Sequence, residues 1–468
     1  MSFFDEFEKY GERTAAIQSD GKSITYSGIG ALAEKIGAVI PARSLVFSLC
    51  ENSIGSMCGY LSFLKNKIVP LMLDAKINGE LLANLIEVYK PAYIWCPSGK
   101  REDISSYEKV FSDCDYDLYK TNFDISYPLF EELALLLTTS GSTGSPKLVK
   151  QSYKNIQSNA KSICEYLKID ENERAITTLP MNYTYGLSIV NSHTLAGATM
   201  LLTDATIVSK DFWSFLKEQE ATSFAGVPYT YEMLKRIRFF RMDLPSVRYF
   251  TQAGGKLQPE LHREFAEYAQ REGKEFVVMY GQTEATARMG YLPAEKSLEK
   301  FGSMGISIPG GRLYIIDVDG NEITEPEVMG ELVYEGDNVT LGYAEKGEDL
   351  IKGDERFGRL ETGDMAKFDS DGYFYIVGRK KRFLKLFGNR INLDNIDRMV
   401  KSEYPEVDVA STGTDSLMVI YVTDENILDD VKTMISDKTH INHSAIKVAY
   451  IEEIPRNESG KVLYTKLQ

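Results

Sequence analysis

One run of residues, Leu135-Leu136-Leu137-Thr138-Thr139-Ser140-Gly141-Ser142-Thr143-Gly144-Ser145-Pro146-Lys147, has the types and spacing to hold an anion. Glycines let a backbone approach closely and adopt positive φ, so successive N–H groups can line a concavity that binds phosphate. Six Ser or Thr hydroxyls and one lysine add donors. The apolar run at 133–137 reads as a buried strand that stops abruptly at this loop. A flexible Ser/Gly linker seldom follows a buried strand directly or closes on Pro-Lys. A Walker A loop requires a second glycine immediately before Lys-Ser/Thr. Pro146 before Lys147 and Leu148 after it exclude that signature.

Five other stretches carry candidate chemistry. Tyr280-Gly281-Gln282-Thr283-Glu284 follows an expected strand at 276–279. It would place a hydroxyl and a carboxylate at the carboxyl edge of a parallel sheet, where such folds bind ligands. Thr283 can hydrogen-bond a phosphate. Glu284 can hold Mg²⁺, which prefers carboxylate oxygens shared with substrate phosphates. Ala253-Gly254-Gly255 follows the expected strand at 247–251 and reads as a tight turn. Glu361-Thr362-Gly363-Asp364 offers a short acceptor, Asp364, on an expected glycine turn, suited to two vicinal hydroxyls. Six basic residues crowd 379–390, and Asn457-Glu458-Ser459-Gly460-Lys461 sets a lysine on a glycine turn near the end of the sequence.

The elements that must position these groups come from composition and pattern. The 468 residues suggest two or three domains. At 43% hydrophobic, with 28 Tyr and 22 Phe, the chain has ample material for a core. A net charge of −15 argues against nucleic acid as a partner. Residues 379–468 hold 14 basic and 14 acidic side chains, so the whole imbalance lies in 1–378. The cysteines (Cys50, Cys58, Cys96, Cys114, Cys164) include no C-x-x-C and read as reduced thiols, not a disulfide frame or zinc site. His440 and His443 lack companion ligands for a metal. The acidic start lacks a signal-peptide n-region, and no apolar run reaches the roughly 18 residues that span a bilayer. A cytoplasmic location is expected.

Helices are expected at 26–39, 79–89, 154–167, 211–219, 229–239 and 259–271, with one capped by Asn52 and ending near Lys65. They alternate with strands at 45–49, 68–73, 92–96, 175–179, 222–225, 247–251 and 276–279, which predicts crossover units and parallel sheets. Residues 101–127 read as an irregular surface crossing. From Gly302, short strands at 313–317, 331–334 and 373–377 are punctuated by Asp319-Gly320 and Asp371-Gly372, as in an antiparallel barrel or sheet. The last 90 residues mix helices (393–403, 429–436) with strands (417–422, 446–451). The predicted fold is a large α/β domain, 1–378, of two parallel-sheet lobes plus a small β-barrel-like sheet. A small mobile α+β domain, 379–468, follows it.

The order of these stretches resembles the adenylate-forming superfamily, which includes acyl-CoA synthetases, peptide-synthetase adenylation domains and luciferases. The resemblance runs from about Ser23 to Lys461. Thr139, Ser140, Gly141, Ser142, Thr143, Gly144 and Lys147 match its phosphate loop, with Leu148 in place of the usual glycine. The resemblance implies that Tyr280 packs on adenine, with Gly254 and Gly255 beside it. Asp364 and Arg379 would bind ribose, and Thr283 and Glu284 would meet phosphate and Mg²⁺. Pro455-Arg456-Asn457-Glu458-Ser459-Gly460-Lys461 fits the motif whose lysine, here Lys461, bridges carboxylate and α-phosphate. Lys381 falls at the hinge about which the small domain turns, and Gly388 would line the tunnel for the thiol. Relatives usually have an acidic residue where Arg382 stands, and the extra charge would suit an acceptor phosphate.

Leu179-Pro180-Met181-Asn182-Tyr183-Thr184-Tyr185-Gly186 resembles the acyl-pocket motif, with Tyr183 at a position often held by His. Tyr183, Tyr185, Ser188, Phe224, Gly226 and Thr251 are the pocket candidates. The implied reaction joins a small carboxylic acid to a thiol through acyl-AMP, with ATP and Mg²⁺. CoA or carrier-protein phosphopantetheine would be the co-substrate. The alternatives are a ligase loading an acyl carrier protein, a luciferase-like oxidase, and a nucleotide-binding regulator without turnover.

Overall fold

The computed structural model describes residues 2–99, 101, 103–123, 128–138, 147–386, 389–414, 416–439, 441–456 and 462–467. The chain divides into two compact units, 1–313 with 334–360, and 314–333 with 361–468. The sequence-based border after residue 378 falls inside the second.

The first unit holds two large sheets. One runs in the order Gly342–Ala344, Leu148–Ser152, Leu133–Thr138, Val69–Asp74, Leu45–Cys50, Tyr93–Pro97, Tyr116–Lys120, Glu108–Asp113. Its centre is parallel and both margins are antiparallel. The other runs Ile306–Ser307, Gly290–Tyr291, Glu275–Tyr280, Tyr249–Gln252, Ser223–Gly226, Arg174–Ile176, Thr199–Leu202, Thr14–Gln18, Ser23–Thr25. Six of these strands, from Glu275–Tyr280 to Thr14–Gln18, are parallel. Parallel strands buried on both faces read as continuous apolar runs, and Leu45–Cys50 is buried throughout. Helix Gly79–Tyr89 starts where the Asn78 side chain accepts from Glu80 and Leu81 N–H.

Several expectations are corrected. The helix Ile54–Lys65 is capped by Ser53, whose hydroxyl accepts from Ser56 N–H, and not by Asn52. Residues 101–127 are not irregular throughout: Glu108–Asp113 and Tyr116–Lys120 form a hairpin on the sheet edge. Its turn places Cys114 and Asp115 at φ 49° and 59° without the glycine that usually announces such a turn. A helix spans Thr184–Ala196 where only a loop motif was read. It is buried on nearly every side, so it shows no amphipathic period. Leu148, where the family has glycine, opens the strand Leu148–Ser152 and is fully buried.

The second unit contains most of a four-stranded sheet in the order Gly311–Ile316, Gly330–Gly336, Arg359–Phe368, Phe374–Arg379. The Asp371-Gly372 turn joins the last two, antiparallel, strands. Beyond it, Val409–Thr414, Leu417–Val422 and Ile446–Tyr450 form a sheet that shares a core with the helices Leu393–Glu403 and Leu428–Thr439. The hairpin read at 383–388 is present as Phe383–Leu386 paired with Asn389–Asn392. All five cysteines are unpaired. Among the described residues, no helix is long and apolar enough to cross a membrane.

Candidate active site

Strand Leu133–Thr138 pairs antiparallel with Leu148–Ser152, with Thr138 opposite Leu148. Both ends of the Ser/Gly-rich loop therefore emerge at one place. Thr139, Ser140, Gly141, Ser142, Thr143 and Gly144 lie outside the described residues, as do Gly388 and Lys461. Lys147, at the loop's exit, is described. Strand Gly342–Ala344 joins the same edge with Tyr343 opposite Val149, next but one to Lys147 in sequence. The Lys147 ammonium lies 3.8 Å from the centre of the Tyr343 ring.

Strand Glu275–Tyr280 ends at Gly281, and Thr283–Ala285 form a single 3₁₀ turn. Gly281 admits no larger residue, because a Cβ there would collide with the Ala287 carbonyl. Thr286 and Ala287 take φ of 54° and 95°, a strained reversal for residues with side chains. This tight return fixes Glu284. Its backbone carbonyl accepts from Thr340 N–H, the Thr340 hydroxyl and the Arg356 guanidinium, each at 3.0 Å. Its carboxylate Oε1 accepts from the Tyr343 hydroxyl at 2.8 Å. The Arg356 guanidinium also lies 4.6 Å from the Tyr343 ring centre. Burial, reinforced by the Glu284 charge, pushes Tyr343 up to about 12, so the phenol remains a donor.

Lys147, Tyr343, Arg356 and Glu284 thus converge, linking the exit of the Ser/Gly-rich loop to the Thr-Glu turn. Tyr343 and Arg356 were not found from the sequence, because neither lies in a motif: strand pairing brings in Tyr343, and side-chain contacts with Glu284 and Thr340 bring in Arg356. The carboxylate fits Mg²⁺. Oε2 of Glu284 accepts no hydrogen bond among the described residues, and a hard oxygen there suits an ion that takes its other ligands from substrate phosphates and water. Among the described residues, no cluster of three metal-ligating side chains offers a closed cage. Tyr280 is half-buried beside this turn, and its hydroxyl accepts from Gln282 Nε2 at 3.2 Å.

Tyr183, Tyr185, Thr251, Gly254 and Gly255 are also brought together. Gly254 has φ +83°, and a Cβ there would sit 2.7 Å from the Tyr183 hydroxyl. Gly255 packs against the Pro228 ring. Tyr183 and Tyr185 meet edge to face at 6.3 Å. The Tyr185 hydroxyl shares a 2.8 Å hydrogen bond with Thr251 Oγ1, and the Tyr231 hydroxyl donates to the Thr251 carbonyl. Burial raises Tyr183 to about 12. The glycine turn and the tyrosine motif therefore form one pocket wall.

In the second unit, Thr362-Gly363-Asp364 sits inside the strand Arg359–Phe368, which corrects the expected turn. Gly363, at φ +69°, bends that strand locally. Asp364 and Arg379 face one another across the ladder, with Oδ1 2.8 Å from the guanidinium Nε, and Asp364 is buried. Lys381 is exposed, whereas its neighbours are tied down. Lys380 pairs with Glu331 at 2.6 Å. Arg382 is buried, bonding Asp394, Asp397 and the Ser411 carbonyl at 2.6 Å each, with its guanidinium 4.0 Å from the Tyr464 ring centre. Arg382 is therefore bound by two carboxylates of its own unit that outweigh its charge, which corrects the reading of it as spare charge for an acceptor phosphate.

The sequence profile of the AMP-binding enzyme family matches residues 3–344. The oxalate–CoA ligase of Arabidopsis thaliana is 30% identical over 279 residues, covering 58% of this chain and 53%, about half, of that relative. The 2-succinylbenzoate–CoA ligase of Bacillus licheniformis is 27% identical over 345 residues, covering 72% of this chain and 70% of that relative. The fold is similar to that of O-succinylbenzoate coenzyme A synthetase from Bacillus subtilis in complex with AMP, with a TM-score of 0.80 at 21% identity over 100% of this chain and 98% of that one. The matched region contains both large sheets, the Thr283-Glu284 turn and the strand that brings in Tyr343, and on that ground the chain belongs to the AMP-binding family of adenylate-forming enzymes.

Proposed function

We propose that this chain is an ATP-dependent ligase that activates a small carboxylic acid as acyl-AMP and transfers the acyl group to the thiol of CoA. The observation that carries the reading is the convergence of Lys147, Arg356 and the Tyr343-anchored Glu284, which follows the strand paired with the one that carries Thr251 and leads into Gly254. Substrate carboxylate would attack the α-phosphorus of ATP and release pyrophosphate. The phosphate loop, Thr139 to Gly144 with Lys147, and Thr283 would orient the phosphates. Lys461 would stabilise the charge that builds on phosphorus in the transition state. Mg²⁺ held by Glu284 would neutralise phosphate charge when bound. Tyr280, Gly254, Gly255, Asp364 and Arg379 would position the nucleoside.

In the second step the residues from 379 onward would turn about Lys381, remove Lys461 and bring Gly388 to the thiol path. The relatives named above are ligases for oxalate and 2-succinylbenzoate with CoA. That supports CoA as the acceptor here. The pairing of Arg379, Lys380 and Arg382 within their own unit takes away much of the basic charge that suggested carrier-protein docking.

A pyrophosphate-exchange screen across carboxylic acids, followed by thioester assays with CoA or carrier proteins, tests the reading. AMP and acyl-CoA are the expected products. ADP in place of AMP, or no exchange with any acid, would overturn it.

A further inference from the structure

Arg288 is 2% exposed and lies in the first unit beside the acyl-pocket wall. A guanidinium keeps its charge inside a protein, and a buried cation ordinarily sits against a carboxylate. Arg288 does not: among the described residues no acidic group lies within ion-pair reach. Its contacts are neutral. Nη2 donates to the Ser188 hydroxyl at 3.0 Å, Nη1 contacts the Tyr166 hydroxyl at 3.3 Å and the Met279 sulfur, and the Tyr185 ring lies 4.3 Å from its centre. Among the described residues its Nε–H has no partner.

Arg288 also borders a small cavity of about 20 Å³ that reaches Thr251, Phe224 and His193. That is room for a water-sized group. His193, likewise 2% exposed, gives its Nδ1–H to the Ile189 carbonyl at 2.8 Å, so Nε2 is left as a bare acceptor without a partner. Burial holds His193 down to about 4, hence neutral, and so it adds no second charge. Most of the lining is apolar, so the two unsatisfied groups, Arg288 Nε–H and His193 Nε2, stand out in it, and its one charge is positive.

Tyr185 ties this cation to the pocket: its hydroxyl meets Thr251 and its ring face meets Arg288. We propose that Arg288 receives a second, distal anionic group of the acid, so that the preferred substrate class is a short dicarboxylic acid. The reacting carboxylate would lie toward Thr283 and Glu284 and the chain along Tyr183 and Tyr185, with one oxygen of the distal carboxylate taking the water-sized space and accepting from Arg288 Nε–H. This inference rests on the ligase reading for which end reacts, but binding of the acid can be measured without turnover.

The test uses the full chain, Arg288→Met and Arg288→Lys, with matched probes: succinate, glutarate and adipate against butyrate, pentanoate and hexanoate. Binding is followed by calorimetry and thermal shift, and turnover by pyrophosphate exchange. Wild type is expected to bind at least one dicarboxylate on the order of 10²-fold more tightly than its monocarboxylate partner. Arg288→Met should erase that preference and Arg288→Lys should restore part of it. Ligand-free Arg288→Met should unfold no lower than wild type, since an uncompensated charge is lost.

Equal binding of both acid series, or a preference that survives Arg288→Met, overturns the proposal. So does a sharp fall in stability of Arg288→Met without any wild-type preference for dicarboxylates, which marks a structural arginine. Dicarboxylate binding without exchange keeps this site and removes the ligase reading. Exchange with monocarboxylates alone does the reverse, and neither binding nor exchange removes both.

Discussion

The Tyr343 hydroxyl holds Oε1 of Glu284 at 2.8 Å while the Lys147 ammonium lies against the same ring. One side chain thereby couples the phosphate-loop exit to the proposed metal carboxylate. Tyr343→Phe keeps the ring and removes the hydrogen bond. A bond to a charged group contributes about 1.5–3 kcal/mol, and at this half-buried position the lower end applies. Pyrophosphate exchange should fall roughly tenfold at limiting Mg²⁺, with a higher Mg²⁺ requirement. An unchanged Mg²⁺ titration would separate Tyr343 from the metal.

Gly281 faces the Ala287 carbonyl with no room for a methyl group. Gly281→Ala must push the two backbone segments apart, and overpacking of this kind costs about 1–3 kcal/mol. The Thr283-Glu284 turn moves with it. Melting temperature should drop by several degrees, and exchange activity should fall far more than the stability loss explains. Near-wild-type activity would show that the turn does not position Glu284.

Burial holds both His193 and His262 down to about 4, and His262 is fixed neutral between the Ser297 hydroxyl and Gly302 N–H. An unfolded histidine titrates near 6.5. Between pH 4 and 6.5 the unfolded chain therefore binds more protons, so stability rises with pH through this window and is lost as pH falls. Each histidine contributes about 1.4 kcal/mol per pH unit there. Denaturant unfolding of His262→Gln should show a shallower acid slope than wild type. An identical slope would mean that His262 is not protonated on unfolding.

Lys461→Ala should cut adenylation by on the order of 10²-fold or more, as when one transition-state donor is removed. Thioester formation from supplied acyl-AMP should be spared. Loss of both half-reactions together would contradict the division of labour between the two steps.

Much of the fold was legible because its elements obey local rules. Helices Gly79–Tyr89, Pro259–Arg271 and Leu393–Glu403 stand where the sequence placed them, and the structure shows the local signals that start them: Asn78 and Asn392 as caps and Pro259 in the first turn. Helix Thr184–Ala196 was hidden because a segment buried all round has no polar face to set a period. The Glu108–Asp113 hairpin was hidden by an exposed, charged strand and an unannounced turn. Within the site, motifs exposed residues contiguous in sequence. They could not expose Arg356, Tyr343 or Arg288, whose partners are reached through pairing and packing. For Arg288 one signal was available: a lone arginine between the apolar residues Ala287 and Met289.

Lys381 stands between two clamps. On one side Arg379 faces Asp364 across a strand pair, and on the other Arg382 is gripped by two carboxylates in the opening turns of a helix. In the proposed turn about Lys381, these two clamps would confine twisting to a single link, like a swivel pin between two fixed plates.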